Sequence, residues 1–102
     1  MSIKHFSLSD FTDVAKDILK NNKFLDIPEA DKLDANSSFR EVLDITSLEI
    51  AELMVEIEAR YHVNMEWAET SGIDNIKDVY DVFVKSIAIM RKQKITTPVH
   101  QR

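Results

Sequence analysis

The sequence contains no cysteine, one glycine and two prolines in 102 residues. Without cysteine, the chain cannot form a disulfide, a thiolate metal site or an iron–sulfur cluster, and it has no thiol nucleophile of its own. A single glycine excludes a glycine-rich phosphate loop and disfavours many short strands joined by tight turns. The length is that of one domain. These absences favour a small all-α domain.

Basic residues are outnumbered, since 13 Lys and Arg stand against 18 Asp and Glu for a formal net charge of −5. Phosphate contacts require clustered Lys and Arg, so we expect no nucleic-acid partner. The sequence has no apolar run long enough to span a membrane, and residues 1–10 contain no apolar signal core. We therefore expect a cytoplasmic monomer.

Apolar residues recur at helical spacing in three segments, which predicts three main helices. The first is expected to start at Ser7 or Ser9, either of which can cap it, and to end at Asn21-Asn22. One face of this helix carries Phe11, Val14, Ala15, Ile18 and Leu19.

The second predicted helix has the clearest pattern and runs from about Ser47 to Tyr61. Thr46, with Glu49 three residues later, matches a capping box at its start. The core stripe of this helix comprises Ile50, Leu53, Met54, Ile57 and Tyr61.

The third predicted main helix begins after Asp74, a good N-cap residue. A short helical turn around residues 66–71 precedes it. Pro98 and the absence of a pattern predict a flexible C-terminal tail over 94–102, after a domain over 1–93. The stripe of this helix comprises Ile76, Val79, Tyr80, Phe83, Ile87 and Met90.

A long segment of weak periodicity, residues 22–45, separates the first two helices and contains Pro28. Loops of this length are usually functional or contain short helical turns. The fold class is therefore an all-α four-helix bundle, with three main helices, a short third helix and a long first loop. The residues expected to pin this loop to the core are Phe24, Leu25, Ile27, Leu33, Phe39, Val42 and Leu43.

Acidic residues dominate the second helix and its flanks, where Arg60 is the only base between Glu41 and Glu69. A solvated helix usually interleaves Lys with Glu, so two interpretations have equal weight: a solvated face, or a surface kept acidic for a basic partner. Apolar residues among these acids and off the core stripe indicate a contact patch; they are Leu48, Ala51 and Val55. The acids are Glu41, Asp44, Glu49, Glu52, Glu56, Glu58, Glu66 and Glu69.

Catalytic and metal-binding patterns are weak. Glu58 and His62 share a helical face, but a metal site needs a third ligand and no second pair exists, so we expect no metal. A glycine-rich turn around a serine, as in a nucleophile elbow, is also missing. Ser47 lies in the first turn of the second helix, where it is either a plain helix-start serine or a favourable place for a phosphate ester.

Residues 38–53 resemble the centre of the acyl carrier proteins. They read Ser-Phe-Arg-Glu-Val-Leu-Asp-Ile-Thr-Ser-Leu-Glu-Ile-Ala-Glu-Leu. In that family a Phe and a Leu precede a Gly-x-Asp-Ser-Leu motif, and an acidic recognition helix follows. The resemblance covers about residues 8–90 and implies a carrier bundle without catalysis of its own.

The resemblance implies that Ser47 carries a 4′-phosphopantetheine arm, added from coenzyme A by a phosphopantetheinyl transferase. The thiol of the arm would hold an acyl or aminoacyl group as a thioester. Acyl-loading and acyl-processing enzymes with basic docking patches would bind the acidic helix; the matching residues are Leu48, Glu49, Ala51, Glu52, Val55 and Glu58. Such carriers also bind the cargo chain between their helices. Two interpretations, lining of this cargo site or plain core packing, fit Met54, Ile57, Ile73 and Val79.

Two positions depart from the family motif. Asp44 stands where the family has glycine, and Thr46 stands where it has the Asp before the serine. We interpret these departures as signs of a specialised, stand-alone carrier, whose cargo is fatty acyl, polyketide, aminoacyl or D-alanyl. An adaptor that binds a basic partner without any prosthetic group is the alternative function, whereas a carboxylate metal enzyme is disfavoured.

Overall fold

A computed structural model describes the backbone of residues 6–100 and the side chains of residues 6–92. This part of the chain forms four α-helices: α1 (Leu8–Asn21), α2 (Phe39–Leu43), α3 (Ser47–Tyr61) and α4 (Ile76–His100). Two 3-10 turns, Pro28–Lys32 and Thr70–Gly72, complete the secondary structure, and no strand occurs among these residues. The predicted all-α bundle is confirmed. The short helix α2 lies in the first loop, and the turn predicted near 66–71 is a single 3-10 turn.

Helix α1 begins where the sequence predicts. Ser7, one of the two candidate caps, accepts a hydrogen bond from Asp10 N at 3.1 Å. Four of the five predicted face residues are buried, and Val14 packs partly buried beside them. The apolar face of α1 therefore forms one wall of the core; its buried members are Phe11, Ala15, Ile18 and Leu19.

The first loop crosses the bundle with Leu25, Leu33 and Phe39 buried, as predicted. Two other predicted anchors are wrong, because Phe24 is 71% exposed and Val42 is 46% exposed. Phe24 lies in the turn that follows α1. Phe39, with the partly buried Leu43 one turn later, occupies the inward face of α2, which leaves Val42 outside.

Aromatic side chains join α1, α3 and α4 at one end of the bundle. The ring of Phe83 on α4 lies 5.0 Å from that of Phe11 and 5.3 Å from that of Tyr61, measured between ring centroids. Phe6 packs on the same rings, and its carbonyl accepts a hydrogen bond from the hydroxyl of Tyr80 at 3.0 Å. The contacts of Phe83 with Tyr61 and of Phe6 with Phe11 and Phe83 are edge-to-face, and such contacts stabilise a core beyond the area they bury.

The turn between α2 and α3 has an unusual backbone. Asp44 is the C-cap of α2 with a left-handed φ of 55°, and its N–H donates to Arg40 O at 3.0 Å. The next residue, Ile45, is buried and donates its N–H to Phe39 O at 3.1 Å. The turn brings the end of α2 directly against the start of α3.

Helix α4 begins one residue later than a cap at Asp74 would require. Asn75 Oδ1 accepts from Asp78 N at 2.8 Å, so Asn75 is the capping side chain and the predicted cap is wrong. The helix continues past residue 93 to His100, so the predicted tail over 94–102 begins within a helix. The mobility of that tail stays a prediction, and residues 101–102 lie outside the described part.

No helix in the described part has both the length and the apolar character to cross a bilayer.

Candidate functional site

Ser47 is the first residue of α3 and is exposed. The helix start does not depend on its hydroxyl, because the predicted capping box is present. Thr46 Oγ1 accepts from Glu49 N at 3.2 Å, and Glu49 Oε1 accepts from Thr46 N at 2.9 Å. The Ser47 side chain is therefore presented at the N-terminal end of a 15-residue helix, where free amide donors and the helix dipole favour negative charge.

Arg40 contacts Ser47 across the α2–α3 turn. Its Nη2 donates to Ser47 Oγ at 3.1 Å, while its Nη1 donates to Asp74 Oδ1 and to Ile73 O, each at 3.1 Å. One guanidinium thus connects α2, the start of α3 and the segment before α4. The sequence pattern did not point to Arg40, although it is the only basic residue between Lys32 and Arg60.

Asp74 holds Arg40 and α2 in place. Its carboxylate accepts from Ser38 Oγ and from Arg40 N, the latter at 3.2 Å, and its carbonyl accepts from Phe39 N at 2.6 Å. The hydrogen bond from Ser38, followed by the contacts of Arg40, holds the pKa of Asp74 below its usual value. Because Asn75 caps α4, the Asp74 carboxylate is free to make these contacts.

The acidic surface of α3, here residues Leu48, Glu49, Ala51, Glu52, Val55 and Glu58, begins next to Ser47. Leu48 is 83% exposed and Val55 is 52% exposed, whereas Ala51 is half-buried. The ion pairs among the described residues join Lys20 to Asp31, Arg40 to Asp74 and Lys77 to Asp81, and none includes an α3 carboxylate. The surface therefore combines exposed apolar side chains with carboxylates that form no ion pair among the described residues.

A groove of about 200 Å³ lies between α3 and residues 65–70. Cargo lining and plain core packing were the two alternatives for Met54, Ile57, Ile73 and Val79. Met54 lines this groove, whereas Ile57, Ile73 and Val79 are buried in the core and do not line it. Ile57 and Val79 are buried between the helices, as their place on the apolar stripes of α3 and α4 requires, and Ile73 is buried in the segment before α4. The lining comprises Ala51, Met54, Val55, Glu58, Met65, Glu66, Ala68 and Thr70.

Two hydrogen bonds hold the far wall of the groove. Glu58 Oε2 accepts from Met65 N at 2.6 Å, which ties the segment to α3. Trp67 Nε1 donates to the fully buried Ser86 Oγ at 2.9 Å, which ties the segment to α4. Glu58 therefore has a structural contact in addition to its predicted place on the acidic surface. Sequence periodicity predicted only a short helical turn around residues 66–71, and it gave no sign that this segment packs against α3 and α4 through these hydrogen bonds.

The pair formed by Glu58 and His62 is not arranged for a metal. Glu58 is bonded to the backbone of Met65, and His62 is the C-cap of α3 with a left-handed φ of 56°. Within the described part of the chain, no group of three or more potential ligands is placed to hold a metal ion.

Two curated relatives, each named "Acyl carrier protein" and both from Brachyspira hyodysenteriae, one of them from strain WA1, resemble this chain. Each is 32% identical over 66 residues, which span 65% of this chain and 82% of the relative. The chain belongs to the acyl carrier protein family. No family model and no solved structure matches the chain.

The acyl carrier motif clarifies the two departures noted in the sequence. Asp44 stands at the motif's glycine and has a φ of 55°, a conformation that glycine adopts without strain and Asp tolerates better than most residues. Thr46 stands at the motif's Asp and caps α3, as an Asp there would also do. Asp44 and Thr46 are therefore both compatible with the backbone around Ser47 in this structure.

Proposed function

We propose that this acyl carrier family member holds an acyl or aminoacyl group as a thioester on a 4′-phosphopantetheine arm attached to Ser47. The observation that carries the proposal is the exposed Ser47 hydroxyl at the start of α3, at the position of the family's motif serine. When attached, the arm would supply the thiol that the cysteine-free chain lacks.

The residues around Ser47 fit an attached phosphate ester. Oγ is accessible, the α3 N-terminus favours an anion, and the Arg40 guanidinium lies 3.1 Å from Oγ. In the attachment step, Ser47 Oγ bonds to the phosphorus that bears pantetheine in coenzyme A, and the pyrophosphate P–O bond breaks. Adenosine 3′,5′-bisphosphate leaves, and the hydroxyl proton passes to a base of the transferase.

The acidic surface of α3 is the proposed docking site for the transferase and for acyl-loading and acyl-processing enzymes with basic patches. Its carboxylates attract such patches during encounter, while exposed Leu48 and Val55 offer apolar contacts beside Ser47. The chain itself needs no catalytic group for this role and acts in the cytoplasm as a monomer. The groove lined by Met54 and Met65 offers an apolar place for the start of a cargo chain.

Intact mass after incubation with coenzyme A and a broad-specificity transferase tests the attachment. The mass of the wild type should rise by one phosphopantetheine, and Ser47→Ala should stay unmodified. Ser71→Ala is the matched control, because Ser71 is equally an exposed serine but lies in the 3-10 turn before α4; it should be modified like the wild type. An unchanged mass with several transferases would favour the adaptor, which uses the acidic surface without Ser47.

A further inference from the structure

We propose that Arg40 binds the phosphodiester through which the arm is joined to Ser47, an inference that rests on the proposed function. Arg40 Nη2 already donates to Ser47 Oγ at 3.1 Å, and Oγ is the atom that becomes the ester oxygen. The free oxygens of the phosphate are only two bonds from Oγ. They come within reach of the same guanidinium, which forms charge-assisted hydrogen bonds with phosphates.

The guanidinium is fixed before any phosphate arrives. Its Nη1 donates to Asp74 Oδ1 and to Ile73 O, each at 3.1 Å, and the backbone N–H of Arg40 donates to Asp74 as well. Nη1 is thus directed to Asp74 and Nη2 to Ser47. An arginine has five N–H donors in a rigid fork, so these contacts leave donors for a phosphate oxygen beside Ser47. Because the fork is already ordered, binding costs little side-chain entropy.

The negative charge around Ser47 makes the positive charge of Arg40 important for holding the phosphodiester. Arg40 is the only basic residue between Lys32 and Arg60, whereas Glu41, Asp44 and Glu49 are close to Ser47 in sequence. A phosphodiester adds one negative charge to this acidic end of α3, and neighbouring carboxylates oppose it. Arg40 offsets that repulsion, and it anchors the root of the arm at the junction of α2, α3 and the Asp74 segment.

Comparison of the apo and holo forms separates this role from the structural ion pair. Arg40→Gln removes the contact with Asp74 in both forms, but it removes the contact with phosphate only in the holo form. We expect the thermal midpoint of holo Arg40→Gln to fall about 4–8 °C further than that of the apo variant. Arg40→Lys should recover part of the difference, because it keeps a cation without the fork. Arg60→Gln is the matched control, since a rise of 1.5 Å per residue places Arg60 about 20 Å along α3 from Ser47; it should affect both forms equally.

A second measurement needs no variant. In holo wild type, scalar coupling between the arm's phosphorus and a guanidinium nitrogen of Arg40, observed by NMR, should report the hydrogen bond directly. If Arg40→Gln lowers both midpoints equally and the coupling is absent from a protein whose mass shows the arm, Arg40 is only structural and this inference is wrong. If the mass never rises, the proposed function fails and the inference falls with it.

Discussion

Asp74 and Arg40 form the contact that joins α2 to the start of α4. Arg40 Nη1 and Arg40 N donate to the same Oδ1 atom of Asp74, at 3.1 Å and 3.2 Å, and Ser38 occupies the other carboxylate oxygen. The carboxylate thus gathers three donors that belong to the N-terminal end of α2. Because Arg40 also reaches Ser47, the geometry at the proposed attachment site depends on this carboxylate.

Asp74→Asn should destabilise the protein at pH 7 by about 1 kcal/mol, a modest value because the side chain is 40% exposed and solvent screens its ion pair. The pKa of Asp74 is lowered on folding, so its contribution is complete above the ordinary value of 3.8 and is lost as pH falls through the lowered pKa. Urea unfolding at pH 7 and in a series below pH 4 measures this. The free energies of unfolding of wild type and Asp74→Asn should converge in acid. A difference between them that stays constant down to the lowest pH would contradict the stabilising role of the ionised Asp74.

Asp44→Gly should stabilise the fold by about 0.5–1 kcal/mol, because glycine relieves the cost of the left-handed φ at the end of α2. Asp44→Ala should have the opposite sign, since alanine tolerates positive φ less well than Asp. Urea midpoints of the two variants compare them directly. Equal midpoints would mean that the turn relaxes to another conformation.

Ser86→Ala should loosen the far wall of the groove. It removes the acceptor of Trp67 Nε1, and the lost hydrogen bond should cost about 1 kcal/mol. Trp67 is the only tryptophan, so its emission reports this segment alone and should shift to longer wavelength as the indole gains water. Ser71→Ala, at an exposed serine, should leave the emission unchanged. Unaltered emission in Ser86→Ala would show that packing alone holds Trp67.

Glu52→Lys should slow association with a cognate enzyme, by roughly tenfold at low salt, and the loss should shrink as salt rises. Glu52 suits this test better than Glu49, because the Glu49 carboxylate is part of the capping box and its reversal also weakens α3. Glu29→Lys makes the same charge change in the first 3-10 turn and serves as the control. Stopped-flow association over a salt series measures both variants. Equal association rates for Glu52→Lys and Glu29→Lys would show that the acidic surface is only a solvated helix face.

Local patterns predicted much of this fold. The stripe of α3 and the Thr46–Glu49 box depend on residues three or four positions apart, so the sequence alone specifies them. The α1 cap at Ser7 is equally local. The same holds for the exposure of Leu48 and Val55, which follows from their position off the stripe.

Contacts between distant segments could not be predicted in this way. Asp74 and Asn75 are both good caps for α4, and the choice between them is settled by Ser38 and Arg40, more than thirty residues earlier. The contact between Arg40 and Ser47 depends on the left-handed turn at Asp44, which places α2 against α3. The motif usually has glycine at this position, but neither the left-handed turn nor the arginine that it brings to the serine was predicted from the sequence.

The most direct test of the central claim is the intact mass of the wild type and of Ser47→Ala after incubation with coenzyme A and a transferase. We predict a gain of one phosphopantetheine on the wild type, mapped by peptide fragmentation to Ser47, and no gain on Ser47→Ala. A gain on another residue, or no gain with any of several transferases, would contradict the assignment of Ser47 as the attachment site.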